Sequence, residues 1–260
     1  MKKTSKQTKA TSSKKAGDSF LSSKAKDYSK LSFGTYGEKS LHKFLKNYID
    51  SDESHQEIKL GRSIVDIFDG EKITEIQTGS FQSVYKKLPS LLESYKLEIV
   101  FPIFREKEVA WLNKETGEIV SKHLSPKHAT ICEILPHLYR IRELLENENL
   151  SFRVISLGAT EYRILDGWSE DKKRGSHRLE IVANKVFSET IINSKEDYKE
   201  FLRQIGFSQK DNERGFTSKD FAKKSKLSTS KASSALIVLT KKEAVARVGK
   251  KKNAYIYNDK

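Results

Sequence analysis

The stretch SIVDIFDGEKITEIQTG, residues 63–79, decides the fold and supplies the candidate chemistry. Two extended, apolar-rich segments are separated by Asp69-Gly70, a dipeptide typical of a tight hairpin turn. The first segment carries Asp66, and the second carries Glu75 and Gln77. Side chains two positions apart on a strand share a face, so Glu75 and Gln77 point the same way. The short turn then places Asp66 beside Glu75.

Two adjacent carboxylates with a backbone carbonyl between them suit a hard divalent cation such as Mg²⁺. This ion prefers oxygen ligands and keeps several waters when it binds to a protein. Such a metal can generate a hydroxide nucleophile and stabilise negative charge on a phosphodiester during cleavage. The hairpin therefore predicts a metal site with Asp66 and Glu75 as ligands.

The segments around the hairpin predict a mixed α/β domain. Apolar residues recur at helical spacing in GEKSLHKFLKNYI (37–49), and SFQSVYKKLPSLLESY (80–95) predicts a second helix that Pro89 divides or kinks. The continuous apolar run KLEIVFPIF (96–104) is typical of a strand covered on both faces. Residues 126–149 predict the longest helix of the chain.

An aspartate, a strand–turn–strand and a Glu-x-Gln, with a helix before and after, resemble the PD-(D/E)xK nuclease superfamily. Its core consists of a helix, a hairpin-bearing mixed sheet, a second helix and a further strand, and residues 37–104 supply those elements in that order. The resemblance implies that Asp66 and Glu75 bind Mg²⁺, for which Mn²⁺ can substitute, with help from the carbonyl of Ile76.

Other positions of the family pattern are matched less closely. The family often places a glutamate on its first helix, and Glu38 is the matching candidate. Val65 stands where the family commonly has proline, and Gln77 takes the place usually held by a lysine. Glutamine can neither act as a general base nor supply charge, so Gln77 can only orient the attacking water. The alternative is a catalytically dead site that retains binding alone.

Composition limits the class of protein. The chain has 260 residues and a formal net charge of +14, a length that allows one large domain or two smaller ones. No run approaches the roughly 20 apolar residues needed to span a bilayer, which excludes a membrane protein. The single cysteine, Cys132, excludes an internal disulfide, so we expect a cytoplasmic location.

The positive charge is concentrated at the two ends. Residues 1–30 hold nine lysines against two aspartates, and residues 211–260 hold eleven lysines and two arginines against five acids. Such ends concentrate polyanions around a protein and favour nucleic acid as a partner. We expect residues 1–30 to form a disordered basic arm. Lys173 and Arg174, in the loop DKKRGSHR, either grip phosphates or belong to a solvated loop.

The C-terminal segment predicts a winged helix-turn-helix. One helix is expected at about 218–226, and a second helix begins at a cap formed by Ser228 or Thr229. AVARVGKKKNAYIY (244–257) then predicts a hairpin with a lysine-rich tip. Winged helices also serve as protein–protein modules, but the local charge favours DNA. The predicted DNA contacts on the second helix and the wing are Thr229, Ser230, Lys231, Ser233, Ser234, Lys250, Lys251 and Lys252.

Together these features predict an α/β protein: a restriction-endonuclease-like mixed sheet flanked by helices, plus a small winged helix-turn-helix domain. The predicted boundaries are 31–207 for the nuclease domain, 208–215 for a linker and 216–260 for the winged helix. The predicted function is Mg²⁺-dependent cleavage of double-stranded DNA in restriction or host defence, and cleavage of both strands suggests a homodimer. Alternatives are a DNA-binding regulator on a degenerate nuclease fold, a transposon end-cleaving subunit, and a nuclease that acts on RNA.

Overall fold

The computed structural model describes residues 39–164 and 176–259, and they form a mixed α/β fold with a central sheet flanked by helices. The strands, in chain order, are β1 (Gln56–Leu60), β2 (Ser63–Phe68), β3 (Lys72–Ile76), β4 (Lys96–Leu112), β5 (Ile119–Leu124), β6 (Leu150–Ile164), β7 (His177–Ile192), β8 (Val245–Lys251) and β9 (Ala254–Asp259). The predicted basic arm 1–30, Glu38, Lys173 and Arg174 lie outside the described residues.

The helices lie between groups of these strands along the chain. The α-helices are α1 (Lys39–Ile49), α2 (Gln82–Tyr85), α3 (Leu88–Leu92), α4 (Leu135–Leu138), α5 (Lys195–Gln204), α6 (Gln209–Arg214), α7 (Ser218–Ser225) and α8 (Thr229–Lys241). Short 3-10 helices are Glu53–His55, Ile131–Ile134 and Tyr139–Leu144. None of the helices in the described ranges has the length and apolar character required to cross a lipid bilayer.

The central sheet has the order β1-β2-β3-β4-β6-β7, and β5 pairs with β4 at its side. Strand β2 runs antiparallel to β3, with Ile67 opposite Thr74. Strand β3 runs parallel to β4, with Glu75 beside Ile99. The sheet is therefore mixed at the hairpin that carries the candidate chemistry, as the sequence predicts.

Residue contacts divide the chain into two compact units. Unit 1 comprises the described parts of Met1–Gln56, Phe104–His128 and Leu157–Ser188. Unit 2 comprises Glu57–Ile103, Ala129–Ser156 and Glu189–Lys260, as far as they are described. The boundaries predicted from the sequence, at 31–207 and 216–260, stay predictions.

The core of unit 2 forms around the first half of β4. Every residue from Leu97 to Ile103 is buried, which confirms a strand covered on both faces. The predicted helix at 80–95 consists of the two short helices α2 and α3, and Pro89 lies in the first turn of α3. Pro89 has no backbone N–H to donate, which favours the start of a new helix at this point.

The prediction of a long helix at 126–149 is wrong. In its place the chain forms two 3-10 segments around the short helix α4. Pro136 lies in the first turn of α4, and Ile141 has non-helical backbone angles. The apolar residues of this stretch are nevertheless buried, because its turns pack into the core of unit 2.

The hairpin between β2 and β3 closes through Asp69 and Gly70. Asp69 Oδ1 accepts the N–H groups of Glu71 at 2.9 Å and Lys72 at 2.7 Å. Burial alone would raise the pKa of Asp69, but these two hydrogen bonds, the charge of Lys72 and the backbone N–H of Asp69 together lower the pKa. Gly70 adopts φ +94°, which a residue with a side chain rarely tolerates. The predicted turn is therefore confirmed.

The C-terminal elements also follow the sequence prediction. Helix α7 begins with a capping box between Thr217 and Asp220, and Ser228 caps α8 by accepting the N–H of Lys231. Strands β8 and β9 pair as an antiparallel hairpin. Residues 209–214, which lie inside the predicted linker, form helix α6.

We expect Gly215→Ala to destabilise the protein more than Gly206→Ala. Both glycines have left-handed backbone angles, φ +72° and φ +79°, so each substitution costs about 1–2 kcal/mol of strain. A methyl group at Gly215 would also overlap Ile256 Cγ2 and lie 3.0 Å from Asn258 Oδ1, whereas Gly206 has no neighbour within 4 Å. The overlap adds about 1–3 kcal/mol. Urea unfolding measures both losses, and equal losses would contradict this packing.

Candidate functional site

Asp66 and Glu75 lie on the neighbouring strands β2 and β3. The observed register, continued by one residue, places Asp66 opposite Glu75, so both side chains extend from the same face of the sheet. Asp66 is half-buried, and its Oδ2 accepts the N–H of Ile76 at 2.7 Å. Glu75 is only 1% exposed. The fold thus brings the two predicted carboxylates to adjacent positions, one of them deep in the core.

Lys87 is the cation beside Glu75. Its Nζ lies 2.7 Å from Glu75 Oε1 and donates a hydrogen bond of 3.0 Å to the carbonyl of Ile64. Burying an isolated carboxylate costs several kcal/mol, and the close ammonium group of Lys87 offsets that cost for Glu75. Lys87 therefore ties the turn that begins α3 to the β2–β3 hairpin.

Lys87 is absent from the predicted site residues, although the sequence pattern around it indicates a buried contact. Val84, Leu88 and Leu91 are buried residues at helical spacing, and Lys87 falls on the same stripe. A lysine on an otherwise apolar stripe indicates a buried acidic partner, whereas its neighbour Lys86 is exposed. The spacing alone does not identify which carboxylate the lysine contacts.

Gln77 lies just after β3, and both its backbone and its side chain form hydrogen bonds. Its backbone N–H donates to the carbonyl of Val100 at 2.9 Å, and its side-chain Oε1 accepts the hydroxyl of Ser83 at 3.0 Å. Ser83 belongs to α2, so the Gln77 side chain leans towards that helix. The amide oxygen retains a second lone pair, which can accept a hydrogen bond from one water molecule.

The oxygen atoms around Asp66 form a donor set that suits Mg²⁺. The N–H and C=O groups of a strand residue point towards the same neighbouring strand. Because the N–H of Ile76 meets Asp66, the carbonyl of Ile76 also faces β2. Two carboxylates and one carbonyl are hard ligands, and Mg²⁺ commonly binds with few protein ligands and several waters. In the described part of the chain, no three His, Cys, Asp or Glu side chains form a metal-binding group.

Glu98 does not act as a third carboxylate at this site. It pairs with Thr74 in the β3–β4 register, and therefore lies on the opposite sheet face from Glu75. There Arg153 Nε contacts Glu98 at 2.8 Å, and Arg153 Nη1 contacts Glu189 at 2.8 Å. Burial alone would lower the pKa of Arg153, but its bonds to both glutamates raise it. The acids on this face are thus neutralised by a protein cation.

The predicted DNA contacts on α8 occupy two kinds of environment. Thr229, Ser230 and Ser233 are exposed, and Ser234 is half-buried. Lys231 instead contacts Glu133, with its Nζ 2.8 Å from Oε1. The structure therefore leaves the small polar residues of α8 on the surface but directs the predicted lysine contact to a carboxylate of unit 2.

The β8–β9 hairpin is both basic and aromatic. Lys250, Lys251 and Lys252 are exposed, as a phosphate contact requires. The guanidinium of Arg247 lies 3.6 Å from the ring centre of Tyr255, and Lys250 Nζ lies 5.6 Å from the same centre. The sequence analysis missed Arg247 and Tyr255 because it considered only the tip of the hairpin.

We expect Lys87→Met to cost about 3–5 kcal/mol of unfolding free energy, because it leaves Glu75 buried without its cation. Lys86→Met is the matched control on an exposed neighbour and should change stability by less than about 0.5 kcal/mol. If the oxygen set accepts a metal, Mg²⁺ should raise the melting temperature of Lys87→Met more than that of the control. Equal stability of the two variants would show that Glu75 does not depend on Lys87.

Comparisons with known proteins give the chain a family. Residues 39–193 match the family described as Domain of unknown function (DUF8091). A protein of Treponema pallidum (strain Nichols), described as an uncharacterized protein, is 31% identical over 149 residues. The alignment covers 55% of this chain and 58% of that relative, so the chain spans little more than half of its length. No solved structure matches. Because the family match covers more than half of the sequence, the chain belongs to the DUF8091 family.

Proposed function

We propose that the protein is a metal-dependent DNA endonuclease whose hydrolytic site is built on the β2–β3 hairpin. The observation that carries the proposal is the placement of Asp66 opposite Glu75, with the carbonyl of Ile76 facing the same strand. These are hard oxygen atoms from neighbouring strands, and the ammonium group of Lys87 lies beside one of them. The strongly basic composition supports a polyanionic substrate.

Each residue of the site has a separate role in this proposal. Asp66, Glu75 and the Ile76 carbonyl would hold Mg²⁺ or Mn²⁺, which when bound activates a water and stabilises charge on the phosphate. Gln77 orients the water through its amide oxygen, since it cannot take a proton as a base. Lys87 holds the Glu75 carboxylate in position before the metal binds, and its displaced ammonium group then supplies a positive charge to the substrate phosphate.

The finer fold assignment belongs to the same proposal. We infer a restriction-endonuclease-like sheet and a C-terminal winged helix, supported by the helix–hairpin–helix–strand order and by α7, α8 and the basic β8–β9 hairpin. Restriction or host defence is the favoured setting, by analogy of architecture, and a transposon end-cleaving subunit would use the same chemistry. Cleavage of both strands of double-stranded DNA would require a homodimer, and the cytoplasm is the matching compartment.

One observation favours a second function, a DNA-binding regulator without hydrolysis. The Lys87 ammonium already neutralises Glu75 at 2.7 Å, which is what a metal ion would otherwise do. A stable internal ion pair would keep the hairpin as a structural element and leave binding to the basic surfaces. The two functions share salt-dependent DNA binding and differ in metal-dependent cleavage.

We expect Asp66→Asn to lower Mg²⁺-dependent cleavage of plasmid DNA by at least about 100-fold, because it removes a charged ligand while the amide oxygen can still accept the N–H of Ile76. Asp69→Asn is the matched control in the same hairpin, where the side chain only caps the turn. The assay compares methylated and unmethylated plasmid, with EDTA as a further control.

Two outcomes would overturn the nuclease proposal. Cleavage that survives both Asp66→Asn and EDTA would come from another site or from a contaminant. Intact plasmid with wild-type protein that nevertheless binds DNA tightly would favour the regulator.

The tip of the β8–β9 hairpin should contribute to DNA affinity through contacts with phosphates and not with bases. Replacing Lys250, Lys251 and Lys252 together by alanine should weaken binding about equally across sequences and reduce the salt slope by about 2–3. Lys195→Ala is the control, since this exposed ammonium contacts Glu243 at 3.0 Å. Fluorescence anisotropy at several salt concentrations measures both quantities. An unchanged slope in the triple variant would exclude the hairpin from the DNA interface.

A further inference from the structure

Unit 1 carries a cation–aromatic cluster that the hydrolytic site does not use. Two cations share the ring of Phe187: the Arg105 guanidinium carbon lies 4.9 Å from the ring centre, and Lys185 Nζ lies 4.5 Å from it. Both cationic residues are exposed, and Phe187 is half-buried. Such contacts hold a long basic side chain in a defined place at the surface.

The sheet is shaped to allow this arrangement. Arg105 lies on β4 and Phe187 on β7, and β6 runs between these two strands. Gly158 lies on β6, and a Cβ at this position would lie 2.6 Å from Asn184 Oδ1 and 3.4 Å from Phe187 Cε2. The bare backbone at Gly158 therefore lets Asn184 of β7 approach β6 closely, and the Phe187 ring lies at contact distance from the same position, within reach of Arg105.

Within the described ranges, Arg105 and Lys185 differ from three other cations of unit 1 in having no carboxylate partner. Lys107 and Arg163 both contact the buried carboxylate of Glu161, and Lys122 contacts Glu108 at 3.2 Å. Among the described residues, Arg105 and Lys185 contact no carboxylate. The two positive charges lie within about one Debye length of each other. They therefore repel each other in the free protein, and both would attract the same anion.

We propose that Arg105 and Lys185, held on Phe187, bind the phosphodiester backbone of DNA. The guanidinium group presents a planar fork of donors that fits a phosphate, and the ammonium group adds a point charge beside it. Phosphate contacts of this kind position a nucleic acid without reading its sequence. DNA as the ligand rests on the proposed function, but the contact requires binding only and no cleavage.

The test is the salt dependence of DNA binding by the full chain, with Mg²⁺ omitted so that the substrate stays intact. Arg105→Ala combined with Lys185→Ala should weaken the affinity for duplexes of unrelated sequence to a similar extent and reduce the salt slope by about 2. The matched control is Lys122→Ala combined with Lys195→Ala, which also removes two exposed charges but from carboxylate partners. Its slope should remain close to that of the wild type.

A second variant separates the ring from the charges. Phe187→Leu keeps both cations but removes the aromatic face, so it should weaken binding about two- to fivefold while the salt slope stays near the wild-type value. Urea unfolding checks that each variant is folded.

The possible outcomes also separate this inference from the proposed function. An unchanged affinity and slope in the Arg105/Lys185 variant would overturn the inference even if the wild type cuts DNA. DNA binding that depends on both residues in a protein that never cleaves would uphold the inference and overturn the nuclease. If the Arg105/Lys185 variant loses binding to phosphatidylserine vesicles but keeps its DNA binding, the cluster belongs to a membrane surface and the inference is overturned.

Discussion

A carboxylate in the middle of the sheet is the constraint on which the rest of unit 2 depends. Glu75 lies on β3, which pairs with β2 on one side and β4 on the other, and is 1% exposed. A charge at such a position must meet an opposite charge, because its hydration is lost on folding. Lys87 supplies that charge, and by doing so it fixes where α2 and α3 lie against the hairpin. The ion pair therefore links the local chemistry to the packing of the helices.

The Lys87–Glu75 ion pair also bears on whether Glu75 is available to a metal ion. A lysine has a flexible four-carbon stem, so its ammonium group can move away from Glu75 if a divalent cation takes its place. Asp66 is held differently, since its Oδ2 accepts the backbone N–H of Ile76, a residue of the sheet. One carboxylate is thus fixed by the backbone and the other by a movable cation. The ion pair seen here and the proposed metal site would therefore use the same oxygen atoms in alternation.

The hairpin was predictable from the sequence because its determinants are local. Asp69-Gly70 encodes the turn, alternation encodes the strands, and together they place Asp66 opposite Glu75. The cluster around Phe187 was not predictable, because Arg105 and Lys185 come from strands far apart in the chain. The helix expected at 126–149 failed for another reason: its apolar residues have helical spacing, but Pro136 and the non-helical Ile141 interrupt it.

Of the two basic surfaces, the Phe187 cluster lies inside the family match and the β8–β9 hairpin lies outside it. Residues 39–193 contain the β2–β3 hairpin with its lysine partner and also the Phe187 cluster, whereas the β8–β9 hairpin lies beyond them. Under the proposals made above, the hydrolytic site and the Phe187 cluster would each be built from residues inside the matched range. The exposed lysines of the β8–β9 hairpin would then add affinity through further phosphate contacts, a contribution that depends on salt and leaves the chemistry of the site unchanged. If the proposed function holds, cleavage would depend on residues of the matched range, and affinity for DNA would depend on the C-terminal hairpin as well.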